Sequence, residues 1–91
     1  MISLPNSKKL CEIVLPSGVF ASIREPLAID WLLAATEQYA EAALIARLVL
    51  FDGIPKPYSE VLSMPLDDYL AVLTHVGAIF KNIFKTSRGV S

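Results

Sequence analysis

The sequence predicts a mainly α fold with a small N-terminal β-hairpin (α+β): a hairpin followed by three or four helices, the last one long and amphipathic. Three observations predict it. Residues 65–85 follow a helical period, residues 27–51 contain neither Gly nor Pro, and two short β-branched runs flank Pro16-Ser17-Gly18.

Taken in order, residues 1–9 hold Pro5, Asn6, Lys8 and Lys9 and are expected to form a flexible arm. Residues 10–85 are expected to form a single helical domain, opened by the hairpin at 10–24. In its second arm Val19, Ala21 and Ile23 alternate with Phe20, Ser22 and Arg24, and Gly18 supplies the positive φ that a short loop often needs. Arg24-Glu25-Pro26 ends the hairpin.

From Leu27 to Phe51 alanine and leucine dominate, which argues helix throughout. Asp30, Glu37 and Glu41 fall on one face, opposite Trp31, Leu32, Ala35 and Tyr39. Continued, that polar stripe meets Leu44, Ile45 and Leu48, so the helix either bends or breaks near 39–41 or has a second half covered all round. Only Arg47 is charged from Ala42 to Phe51, which suits a central core helix or an oligomer contact. Asp52-Gly53 is expected to stop this helix, with Gly53 in the left-handed cap conformation, and Pro55 and Pro57 prevent its resumption. Residues 58–63 then make one short helical piece.

In the long helix, Leu66, Tyr69, Leu70, Leu73, Val76, Gly77, Phe80, Ile83 and Phe84 recur at steps of three and four. Pro65 suits the first helical position, Asp67 and Asp68 complement the positive end of the helix dipole, and Lys81 and Lys85 the negative end. Residues 86–91 are expected to be a disordered tail.

Composition narrows the function. The 91-residue chain is 54% hydrophobic and 19% charged, more apolar surface than so small a domain can easily hide, so a partner, a second copy of the chain, or both are expected to cover part of it. The apolar surface candidates are Trp31, Leu44, Leu48, Phe51, Tyr69, Leu73, Phe80 and Phe84, undivided between core and interface. No run approaches the roughly 18 uncharged apolar residues of a membrane span. A secretory signal is not evident, and the single cysteine, Cys11, agrees with a reducing, cytoplasmic setting. A net charge of -1 offers no general attraction to nucleic acid, with a local exception in Lys81, Lys85 and Arg88.

Chemistry is sparse. His75 has no second ligand type at helical spacing and Cys11 stands apart from it, so neither a metal site nor a nucleophile and base pair is expected. Asp67 and Asp68 point about 100° apart on a helix, which fits dipole complementation better than paired catalysis. No phosphate-loop, dinucleotide or nucleophile-elbow pattern occurs. Catalytic residues, cofactors and enzymatic activity are not expected.

The order of features carries more. Leu15-Pro16-Ser17-Gly18 in a hairpin, Arg24-Glu25-Pro26 before a helix, Ala46-Arg47-Leu48, Phe51-Asp52-Gly53 with Pro57-Tyr58-Ser59-Glu60-Val61-Leu62, and Met64-Pro65-Leu66-Asp67-Asp68-Tyr69-Leu70 follow one another. Together they resemble the small tail assembly chaperones of tailed bacteriophages and prophages, above all the Mu-like and P2-like contractile-tail group, over residues 10–84. The resemblance implies a non-enzymatic protein of the bacterial host cytoplasm. It would bind the tape measure protein and keep it soluble before the tail tube polymerises. In such families a longer form can arise by translational frameshifting. The competing expectation is a small structural or regulatory helical subunit, DNA-associated through its basic C-terminal end.

Overall fold

In the computed structural model the backbone is described for residues 8–90 and the side chains for residues 8–85. The chain is α+β, with strands and helices interleaved: β1 (Lys9–Val14), β2 (Phe20–Arg24), α1 (Ala28–Ala34), α2 (Ala40–Leu48), β3 (Val49–Phe51), β4 (Ile54–Pro55), α3 (Tyr58–Leu62) and α4 (Leu66–Val90). The expected hairpin is present, but it is half of a four-stranded antiparallel sheet in the order β1-β2-β3-β4.

The period-two alternation of β2 explains its central place. Ala21 and Ile23 point inward with no solvent exposure, joined on that face by Val49 and Phe51, which lie opposite them on β3. Ser22 faces the other way, and Phe20, Val14 and Leu50 on that outer side are exposed. The loop between β1 and β2 is closed by the Leu15 N–H donating to the Val19 carbonyl at 2.8 Å and the Gly18 N–H to the Leu15 carbonyl at 2.8 Å. Asp68, buried in the first turn of α4, accepts the Ser17 N–H at 3.1 Å and so ties that loop to the helix. The carboxylate placed by the helix dipole thus also anchors the hairpin.

The segment expected to be helical from 27 to 51 is two helices and a strand. α1 ends at Ala34, α2 starts at Ala40, and the chain passes straight from Leu48 into β3. α2 is the central core helix: Ala42, Ala43, Leu44, Ile45 and Leu48 are all buried, and it packs on α1, α3 and α4. β3 forms because Val49 and Phe51, both good strand formers, find Ile23 and Ala21 across the ladder.

Asp52-Gly53 is therefore a two-residue hairpin turn and not a helix cap. Both residues have positive φ, 52° and 80°, the signature of the turn whose twist matches an antiparallel ladder. Asp52 adds a tie of its own, its carboxylate accepting the Phe20 N–H at 3.0 Å while its N–H donates to the Phe20 carbonyl at 2.7 Å. Gly53→Ala is expected to destabilise the fold by about 1–2 kcal/mol, because a Cβ is strained at positive φ although nothing crowds it in space. A urea titration of the variant beside the wild-type chain measures this directly.

α3 falls where the sequence places it, and α4 begins one residue after Pro65, whose carbonyl accepts the Tyr69 N–H at 3.0 Å. α4 continues to Val90, so residues 86–90, expected to be a disordered tail, are helical. The expected arm at 1–9 lies outside the described residues up to Ser7, and Lys9 already belongs to β1.

α1 is turned over relative to expectation. Asp30, placed by periodicity on a solvated stripe with Glu37 and Glu41, is 0% exposed, whereas Trp31, Leu32 and Leu33 face outward. The reason is charge. Arg24 meets Asp30 with two nitrogens, at 2.8 and 2.6 Å, Arg47 Nε donates at 2.9 Å, and the Leu27 N–H at 2.8 Å, leaving no oxygen of the carboxylate without a donor. Burial pushes the Asp30 pKa up, but the hydrogen bonds from Arg24, Leu27 and Arg47 and the Arg24 charge outweigh it and hold the pKa below the usual value.

A candidate helix-binding surface

The eight apolar surface candidates separate into three groups. Leu44, Leu48 and Phe51 belong to the core: α2 brings the two leucines under its neighbours, Leu44 keeping only an edge on the groove at the α1, α2 and α4 junction, and Phe51 lies in the inward row of β3, with Lys56 Nζ 5.3 Å from its ring centre. Tyr69 and Leu73 are half-buried on α4. The Tyr69 pKa is raised by burial and by the nearby Glu41 carboxylate.

Trp31, Phe80 and Phe84 meet at the surface. The Trp31 ring centre lies 5.5 Å from that of Phe80 and 5.6 Å from that of Phe84, the latter edge to face, and the two phenylalanines are 6.2 Å apart. These are favourable aromatic separations, yet Trp31 remains 48% exposed and Phe84 47%. Helical spacing of four residues puts the phenylalanines in line on α4, and the Asp30 anchor turns the neighbouring Trp31 of α1 onto them. The result is a ridge between two grooves.

One groove, about 340 Å³, runs along the α1, α2 and α4 junction past Ala34, Ala40, Leu44, Leu73 and Gly77, with Glu41 as its one charged lining residue among those described. The other, about 310 Å³, lies on the far side of the ridge, where Pro26, Leu27, Leu32 and Ile83 line it and, among the described residues, no charged side chain does. Small residues on the floor and large rings on the rim suit the side chains of an apolar helix.

The α4 face that packs inward is not the middle of the predicted stripe. Asp68, Val72 and Val76 are its buried line, with Ile79 beside them, and neither Val72 nor Ile79 stands out in the single-helix pattern. Leu66 and Leu70, which the stripe includes, are 69% and 48% exposed. Ile29, Leu32 and Leu33 of α1 also lie open, and the sequence signal that could have exposed them is the need of Asp30 for Arg24 and Arg47.

Among the described residues no three His, Cys, Asp or Glu side chains come together as a metal site would require, and no helix is long and apolar enough to cross a membrane. Compared with protein-family models, with curated proteins and with solved structures, the chain matches none.

Proposed function

We propose that this chain is a non-enzymatic binding module for an apolar helix, acting as a tail assembly chaperone that holds a phage or prophage tape measure protein soluble in the host cytoplasm before the tail tube forms. One observation carries the binding reading: the ridge of half-exposed Trp31 and Phe84 over the partly buried Phe80, with an apolar groove on each side. An aromatic cluster of this kind, left wet in a small domain, is costly unless a partner dries it. The resemblance of residues 10–84 to tail assembly chaperones supplies the partner's identity.

Co-expression with the tape measure product of the same genome tests it. The wild-type chain is expected to keep that product in the soluble fraction and to be pulled down with it in high as well as low salt. Trp31→Asp and Phe84→Asp are expected to abolish both effects while the far-ultraviolet circular dichroism stays that of the wild type. Since Trp31 is the single tryptophan, its emission should shift to the blue as the client covers it. A tape measure product that stays insoluble beside the wild-type chain removes the proposal, and binding that collapses as salt rises points instead to nucleic acid.

A further inference from the structure

We infer that α4 pairs with the α4 of a second copy in an antiparallel, two-fold seam centred on His75. Leu66, Leu70, Leu73, Gly77, Phe80 and Phe84 are spaced four, three, four, three and four residues apart, the heptad spacing of a helix that packs along its length on another helix. The row lies to one side of the buried Asp68, Val72 and Val76 line and spans about 27 Å of helix; Leu66, Leu70, Gly77 and Phe84 are exposed, while Leu73 and Phe80 are half-buried against the core and offer their outer edges.

The row is complementary to itself when reversed. Turning a second copy about the level of residue 75 sets Phe84 against its Leu66, Phe80 against its Leu70, and Gly77 against its Leu73. Each layer then pairs a large side chain with a smaller one. A parallel pairing would instead stack ring on ring and leave glycine facing glycine.

Gly77 is an independent sign. A glycine inside a helix is unfavourable, and this one has no positive φ and, among the described residues, no neighbour that a Cβ would strike, so none of them requires it. A second backbone passing close by would.

Charge fixes the direction. Along the exposed flank of the row lie Asp67, Thr74 and Lys81, seven residues apart. In the antiparallel pair the flank is offset slightly from the level of residue 75, so that Asp67 comes within reach of the second copy's Lys81 and Lys81 of its Asp67, while the two threonines meet beside the axis, giving two symmetry-related ion pairs. The pair shares its face with the proposed client site but does not depend on that reading; it makes client and second copy competitors for one surface.

Sedimentation velocity on the full chain tests it. The wild type is expected to sediment as a dimer and Leu70→Asp as a folded monomer. Lys81→Asp, which turns both ion pairs into repulsions, should raise the dissociation constant about tenfold or more. The double variant Asp67→Lys with Lys81→Asp should bring it back toward the wild-type value, a rescue that helix stability alone would not produce. A wild-type chain that stays monomeric at every concentration overturns the inference, as does a dimer indifferent to the Lys81 reversal. A dimer that fails to solubilise the tape measure product defeats only the chaperone proposal, and a strict monomer that succeeds defeats only this one.

Discussion

Replacing Asp30 with alanine is expected to destabilise the fold by about 3 kcal/mol, because it leaves two arginines facing a buried vacancy where a carboxylate had accepted four hydrogen bonds. Arg24 and Arg47 each keep about a quarter of their side-chain surface in water, which holds the loss toward the lower end for a broken buried pair. In a domain of this size that corresponds to a fall in Tm of about 12–24 °C. Glu37→Ala, on the same predicted stripe but exposed, should stay within about 0.5 kcal/mol of the wild type. Acid gives a second reading of the same group. The Asp30 pKa is lower folded than unfolded, so its contribution is complete above the unfolded carboxylate value of about 3.9 and is lost as the pH falls below that through the folded value. An Asp30→Asn chain should therefore lose less stability than the wild type between neutral pH and acid, measured by thermal melts across that range.

Asp30 also shows where the sequence is legible and where it stops being so. The α+β class, the first hairpin and the long last helix follow from local period and punctuation, and the structure has them; between a broken 27–51 helix and one covered all round the sequence leaves the choice open, and the structure has the break. The face of α1 does not follow, since it depends on arginines six and seventeen residues away whose charge outweighs the apolar stripe. Gly53 takes the left-handed conformation in a helix cap and in a hairpin turn alike, so local chemistry fits both. What selects the turn is the pairing of β3 with β2, nearly thirty residues earlier. Leu44, Leu48 and Phe51 look the same in sequence as Trp31 and Phe84, because apolar character alone does not say which side a neighbour covers. In α4 two apolar faces lie side by side, one toward the core and one outward, and a single stripe read from one helix averages them.

That division of α4 yields the sharpest contrast in the chain. Val72→Asp is expected to unfold the domain, whereas Leu70→Asp, two positions earlier on the same helix, should leave it folded. Val72 has 0% exposure, packed in the core between Asp68 and Val76, so an aspartate there would carry its charge into an apolar interior beside a carboxylate already present. The cost, about 4 kcal/mol or more, is comparable with the whole stability of a chain this size. Leu70 is 48% exposed and next to the 69% exposed Leu66, so a charge there should change the fold's stability by no more than about 1 kcal/mol. Its effect should appear instead as loss of the α4 pair and of client binding. Thermal melts and sedimentation on both variants decide the matter: equal unfolding by the two would place Leu70 in the core and erase the outward face, while a folded, monomeric Leu70→Asp beside an unfolded Val72→Asp assigns one side of α4 to the fold and the other to a second helix.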